Sequence, residues 1–85
     1  MAAPVPVTLY TREGCHLCEA AREAILRGGE GLAIELREVD VDSDPDLARR
    51  FGEEVPVVFI GERKAFKFRL TPEAFRDRLR RLEIA

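Results

Sequence analysis

Val5-Pro6-Val7-Thr8-Leu9-Tyr10-Thr11-Arg12-Glu13-Gly14-Cys15-His16-Leu17-Cys18 decides how the rest of the chain is read. Residues 5–10 are short-run, apolar and β-branched, which predicts a buried strand. Residues 11–14 are a polar connection. From Cys15 the period changes: Leu17, Ala21, Ala24 and Ile25 fall at i, i+4, i+7 and i+8, one face of a helix. Glu23 and Arg27 form an i,i+4 pair on its outer side. Gly28-Gly29 is expected to stop the helix, because glycine accepts the left-handed conformation at a helix end.

Downstream, Leu32, Ile34 and Leu36 alternate, and Val39 and Val41 alternate in the opposite phase. This predicts one strand with its end, or a bulge, near Arg37-Glu38. Ser43 or Asp44 can cap a short helix with Pro45 in its first position. Leu47 and Phe51 give that helix an apolar stripe, and Gly52 ends it. Residues 55–60 form a second buried-strand run, and Gly61-Glu62 suits a two-residue hairpin turn. Residues 63–70 then alternate, with Phe66, Phe68 and Leu70 on one side and Arg63, Lys67 and Arg69 on the other. These cations would discourage edge-to-edge pairing. Thr71-Pro72 caps a last helix carrying Phe75, Leu79 and Leu82 inward. The order is β-α-β-α-β-β-α, an α/β class chain. A right-handed βαβ unit is followed by a hairpin and a covering helix. The expected architecture is a four-stranded mixed sheet with helices on both faces.

Composition bounds the rest. Eighty-five residues make a single domain, 1–85. Apolar residues at 46% exclude a disordered chain. Charged residues at 35%, with no apolar run near membrane-spanning length, exclude a membrane helix. A net charge of −2 argues against a nucleic-acid partner held by excess positive charge. Two cysteines are too few for a disulfide-stapled secreted scaffold. Met1-Ala2-Ala3-Pro4 lacks the charged and apolar regions of a signal peptide, so a cytoplasmic location is expected. The chain has no Asn or Gln, and 12 of its 14 basic residues are Arg. That suits a heat-adapted source, and a GC-rich genome equally. Residues 30–54 carry three cations and nine anions, whereas residues 61–85 carry eight cations and four anions. These are either solvated faces or, for the second, a basic face that attracts an anionic partner.

Both cysteines sit in Cys15-His16-Leu17-Cys18, after the first strand and at the start of the first helix. That context makes a C-x-x-C a redox candidate. Helical residues three apart have Cα atoms about 5 Å apart, within the range a disulfide tolerates. Cys15 falls where a helix presents unsatisfied N–H groups and partial positive charge, so its thiolate is favoured. Comparable sites have pKa values of roughly 3.5–7.5 instead of 8.5. Cys18 lies one turn in and is expected to be more buried. Cys15 is therefore the expected attacking sulfur and Cys18 the resolving one. The alternatives are inert core cysteines, or a metal or cluster site. A structural zinc needs four ligands, and only His16 remains. A dimer bridging an iron–sulfur cluster would supply four thiolates. His16, the only histidine, is either a plain exposed residue of the first turn or a stabiliser of the Cys15 thiolate.

The stretch from Leu9 to Cys18, with Glu38-Val39-Asp40-Val41-Asp42 and Val55-Pro56-Val57-Val58, resembles the thioredoxin superfamily. Within it, the small glutaredoxin-like proteins are the nearest branch, and the resemblance covers nearly the whole chain. It implies a thioredoxin-like fold and dithiol–disulfide oxidoreductase activity. It also implies that Val55-Pro56 is a cis peptide packed beside the sulfurs, and that the Val55 backbone pairs with extended substrate as an added strand would. The site so assigned has Cys15 and Cys18 as catalytic residues and His16, Val55 and Pro56 as substrate-binding residues, with no metal.

This chain departs from the glutaredoxin pattern at several positions. His16 stands where Pro usually follows the first cysteine, and Glu54 where Thr precedes Val-Pro. Lys67-Phe68-Arg69-Leu70-Thr71-Pro72 replaces the Gly-Gly and acidic residue that grip glutathione. With no Trp, the chain also lacks the Trp-Cys-Gly-Pro-Cys of true thioredoxins. No tightly bound cofactor is expected. Glutathione stays a candidate reductant, with Arg12, Lys67 or Arg69 left to meet its carboxylates. The expected partners are a disulfide-containing protein or low-molecular-weight thiol and a reductase or thiol donor. Neither nucleic acid nor membrane is expected, and the chain is expected to be a monomer.

Overall fold

The computed structural model describes residues 3–84. Met1, Ala2 and Ala85, the ends of the single domain expected above, lie outside the described residues. The elements run β1 (Val5–Thr11), α1 (His16–Gly28), β2 (Ile34–Asp40), a 3-10 turn (Val41–Ser43), α2 (Pro45–Phe51), β3 (Val57–Ile60), β4 (Arg63–Lys67) and α3 (Pro72–Ile84). The sheet order is β2-β1-β3-β4. β1 pairs with β2 in parallel, and β3 is antiparallel to both β1 and β4. This is the four-stranded mixed sheet that the element order predicts and the thioredoxin-like α/β arrangement that the resemblance implies.

Strand alternation builds two cores. Val7 and Leu9 of β1 and Val58 and Ile60 of β3 face one side, where they meet Ala21 and Ile25 of α1 and Phe75 and Leu79 of α3. Tyr10, Val57 and Phe59 face the other side, against Phe51 of α2 and Val41 of the 3-10 turn. Tyr10 stacks on Phe51 there and Phe59 meets both edge-on, with ring centroids 4.7–5.7 Å apart. α2 starts where the sequence places it: Asp44 is its N-cap, with Oδ1 accepting from Asp46 N–H at 2.8 Å. Ser43, the other cap candidate, instead donates its hydroxyl to the Asp40 carbonyl. Thr71 Oγ1 accepts from Ala74 N–H at 3.0 Å at the start of α3.

Four local expectations are corrected. β2 carries no bulge: it stays in register with β1 from Val5↔Ile34 to Thr11↔Asp40. The phase change near Arg37-Glu38 has another cause. Leu36 packs on the first core, Val39 shares the face of its partner Tyr10, and Val41 already belongs to the turn. The bulge lies in β4 instead, where Val58 pairs with Phe66 but Phe59 with Lys64. Ala65 is the extra residue, so Ala65 and Phe66 both pack on the first core.

β4 ends at Lys67, because Phe68 has a φ of +68° and leaves the alternation. Leu17 is exposed, and Cys18 takes the inward place on α1. The glycine stop of α1 does not use the left-handed region, since Gly29 has φ −89°. Gly28 is demanded by crowding: a Cβ there would collide with the Pro72 carbonyl oxygen of α3.

Candidate active site

Gly14, with φ +77°, turns the chain from β1 toward α1. Cys15 N–H closes that turn on the Arg12 carbonyl at 3.3 Å. Cys15 then becomes the N-cap of α1, with extended backbone angles of −90° and 106°. Its Sγ accepts the Cys18 N–H at 3.1 Å, taking the place of the usual capping oxygen. The two cysteines form a disulfide with Cα atoms 5.2 Å apart. Their exposure differs: Cys15 is half-buried, whereas Cys18 is 3% exposed. His16 is exposed in the first turn of α1.

Val55-Pro56 is a cis peptide, with Val55 half-buried and Pro56 buried. The antiparallel pair Tyr10↔Val57 puts it at the same end of the sheet as the loop leading from β1 to Cys15. The Pro56 carbonyl accepts Phe68 N–H at 2.9 Å. Among the described residues, the Val55 N–H and C=O have no hydrogen-bond partner. The structure thus brings the loop leading to the cysteines and the Val55-Pro56 segment to one end of the sheet.

Arg12 is not free to meet a ligand carboxylate. Its guanidinium holds both oxygens of Asp42 at 2.9 and 3.0 Å and donates to the Gly52 carbonyl at 2.9 Å. The hydrogen bonds it donates to Asp42 raise its pKa above the ordinary value, and the charges of Asp42, Asp40 and Glu53 add to that. Arg12 therefore ties the loop before Cys15 to the 3-10 turn and the end of α2. Beside it, a polar pocket of about 230 Å³ reaches both cysteines and includes Arg22 and Glu38, which pair at 3.2 Å. Glu54, standing where the resemblance expects Thr, accepts a hydrogen bond from Lys64, which lowers its pKa. Among the described residues, no group of three or more His, Cys, Asp or Glu gathers to hold a metal. Nothing here favours the cluster-carrying alternative.

Sequence reasoning missed the exposure of Leu17 and Phe68. A strand period extended through residue 70 turns Phe68 inward, and the only contrary signal is the nearby Thr71-Pro72 helix start.

Residues 6–82 match the glutaredoxin-like domain family (DUF836). The chain belongs to this family. Among curated proteins, a glutaredoxin-like protein of Dictyostelium discoideum is 29% identical over 72 residues, covering 78% of this chain and 67% of that protein. An uncharacterized protein of Mycobacterium tuberculosis is 32% identical over 63 residues, 68% of this chain and 65% of that protein. The chain thus spans about two thirds of the length of these relatives. Among solved structures, an X. campestris structural-genomics protein has a TM-score of 0.77 at 30% identity, covering 88% of this chain and 96% of that one. Thioredoxin 1 of Thermosipho africanus has a TM-score of 0.62 at 22% identity and covers 93% and 96% of the two chains, a likeness of fold. A glutaredoxin-like domain with a C-x-x-C pair at disulfide distance supports a thiol–disulfide redox role. Among the described residues, no helix is long and apolar enough to cross a membrane.

Proposed function

We propose that this glutaredoxin-like domain is a dithiol–disulfide oxidoreductase. The observation that carries the reading is the asymmetry of the pair: half-exposed Cys15 Sγ caps α1 and receives the Cys18 N–H, while Cys18 is buried. Both the hydrogen bond and the helix N-terminus favour a thiolate at Cys15. In the reduced protein, that thiolate attacks one sulfur of a substrate disulfide. A Cys15–substrate disulfide forms, and the other substrate sulfur leaves as a thiolate and takes a proton from water. The Cys18 thiol then gives up its proton and attacks Cys15 Sγ. The Cys15–Cys18 disulfide forms, and the second substrate thiol is released. The substrate gains two electrons and the protein loses two. An external thiol donor, glutathione or a dithiol reductase, restores the reduced pair.

Val55 and Pro56 contribute the docking edge: the unpartnered Val55 N–H and C=O suit backbone pairing with an extended substrate. His16 stands exposed beside Cys15, where a positive ring charge would favour the thiolate further. The test is reduction of a small disulfide by the full chain with a thiol donor. Cys15→Ser abolishes turnover, and Cys18→Ser accumulates a mixed disulfide visible by mass. Unchanged turnover in Cys15→Ser refutes the assignment.

A further inference from the structure

An apolar groove of about 550 Å³ adjoins the redox motif, apart from the polar pocket beside Arg12. Leu17 and Ala20 of α1 line it together with Phe66, Phe68, Leu70 and Ala74. Its volume lies in the range of roughly 300–1,000 Å³ typical of ligand sites. Leu17 is 38% and Phe68 43% exposed, large apolar side chains of its lining left in water. Contiguous apolar surface of this kind marks a contact site.

The backbone holds Phe68 there against its own preference. A φ of +68° is uncommon for a residue with a Cβ and unusual for an aromatic. Phe68 N–H is anchored on the Pro56 carbonyl, and Arg69 N–H closes a three-residue turn on the Lys67 carbonyl at 2.8 Å. That turn takes Phe68 out of the alternation that buries Phe66. Backbone outliers of this sort cluster at ligand clamps. Among the described residues, Arg69 is the one charged residue that lines the groove. Lys67 and Arg69 flank Phe68, and neither has an ion-pair partner among the described residues. Lys67 Nζ lies 5.5 Å from the Phe68 ring centroid.

We infer that this groove seats a partner polypeptide around its cystine. An apolar side chain enters between Leu17 and Phe68, and a neighbouring carboxylate meets Lys67 and Arg69. The inference rests on the redox reading above and adds its substrate class. Glutathione fits the groove poorly, since it has no large apolar side chain to fill it.

Two cystine peptides of equal length test it, one with Leu and Glu beside the cystine and one with Ser and Lys, alongside hydroxyethyl disulfide and oxidised glutathione. The Leu–Glu peptide should exceed the Ser–Lys peptide in kcat/KM by about tenfold or more. Phe68→Gly should sharply reduce that preference without lowering Tm, because glycine adopts this φ at no steric cost. A merely structural Phe68 would show a lowered Tm and an intact preference. Equal rates for the two peptides, a preference unchanged in Phe68→Gly, or oxidised glutathione outrunning the Leu–Glu peptide overturns the inference and leaves the redox reading standing. If wild-type protein reduces none of the four disulfides, the redox reading fails. Fluorescence anisotropy with the Leu–Glu peptide carrying Ser for Cys then decides the groove: binding lost in Phe68→Gly supports it, and no binding to wild type overturns it.

Discussion

Gly28→Ala should destabilise the protein even though alanine is the better helix former. Gly28 is the last residue of α1, where alanine would add at most about 1 kcal/mol of helix propensity. Opposed to this is a collision. The new Cβ would strike the Pro72 carbonyl oxygen and lie 3.1 Å from the Phe75 ring. The oxygen is backbone at the start of α3, and Phe75 is fully buried, so neither can rotate aside. A collision with fixed backbone falls in the upper part of the range for overpacking, about 2–3 kcal/mol, which leaves a net loss of about 1–2 kcal/mol once propensity is credited. For a domain this size each kcal/mol moves Tm by roughly 4–8 °C, so a fall of about 4–15 °C is expected. Circular dichroism melts of the oxidised protein read it directly. Disulfide reduction well below the transition should persist, because the start of α1 lies at the far end of the helix. A Tm equal to or above wild type would refute the close α1–α3 contact and reduce Gly28 to a simple helix stop.

Asp44→Ala removes the side-chain cap of a seven-residue helix. It should cost about 1 kcal/mol, measured as a lower Tm, and an unchanged Tm would show that the cap is idle. Glu54 titrates below the ordinary carboxylate value because Lys64 donates to it. A depressed folded pKa gives stability that is present above the unfolded pKa and lost as pH falls through the folded one. The Tm advantage of wild type over Glu54→Gln should therefore hold at neutral pH and shrink as pH drops below the usual carboxylate range. An advantage independent of pH would refute the ion pair as its source. Cys15→Ser and Phe68→Gly probe the chemistry and the groove.

Local signals carried much of the fold. Residues 5–10 and 55–60 are apolar and β-branched enough to read as buried strands, and most of β1 and all of β3 lie there. Asp44-Pro45 starts α2 because cap and ring both act within one turn. Cys15 sits at the start of α1 for the same reason: the polar turn and the change of period are adjacent in sequence. The candidate active-site pair is therefore legible from residues 5–18 alone.

What the sequence could not supply depends on partners far along the chain. Arg12 is tied up by Asp42, thirty residues away, so no local reading separates it from a free cation. The sequence flags Gly28 as a helix stop, but only the approach of Pro72 reveals it as a packing requirement. The resemblance supplied the cis Val55-Pro56 bond, because local energetics favour trans. Phe68 shows the division most clearly. Its period belongs to a strand, yet its N–H bonds Pro56 across the sheet and its backbone turns the ring to water. Short-range hydrogen bonding and periodicity set the elements and the place of the two sulfurs. The long-range contacts that close the chain on itself decided which side chains stay outside in water.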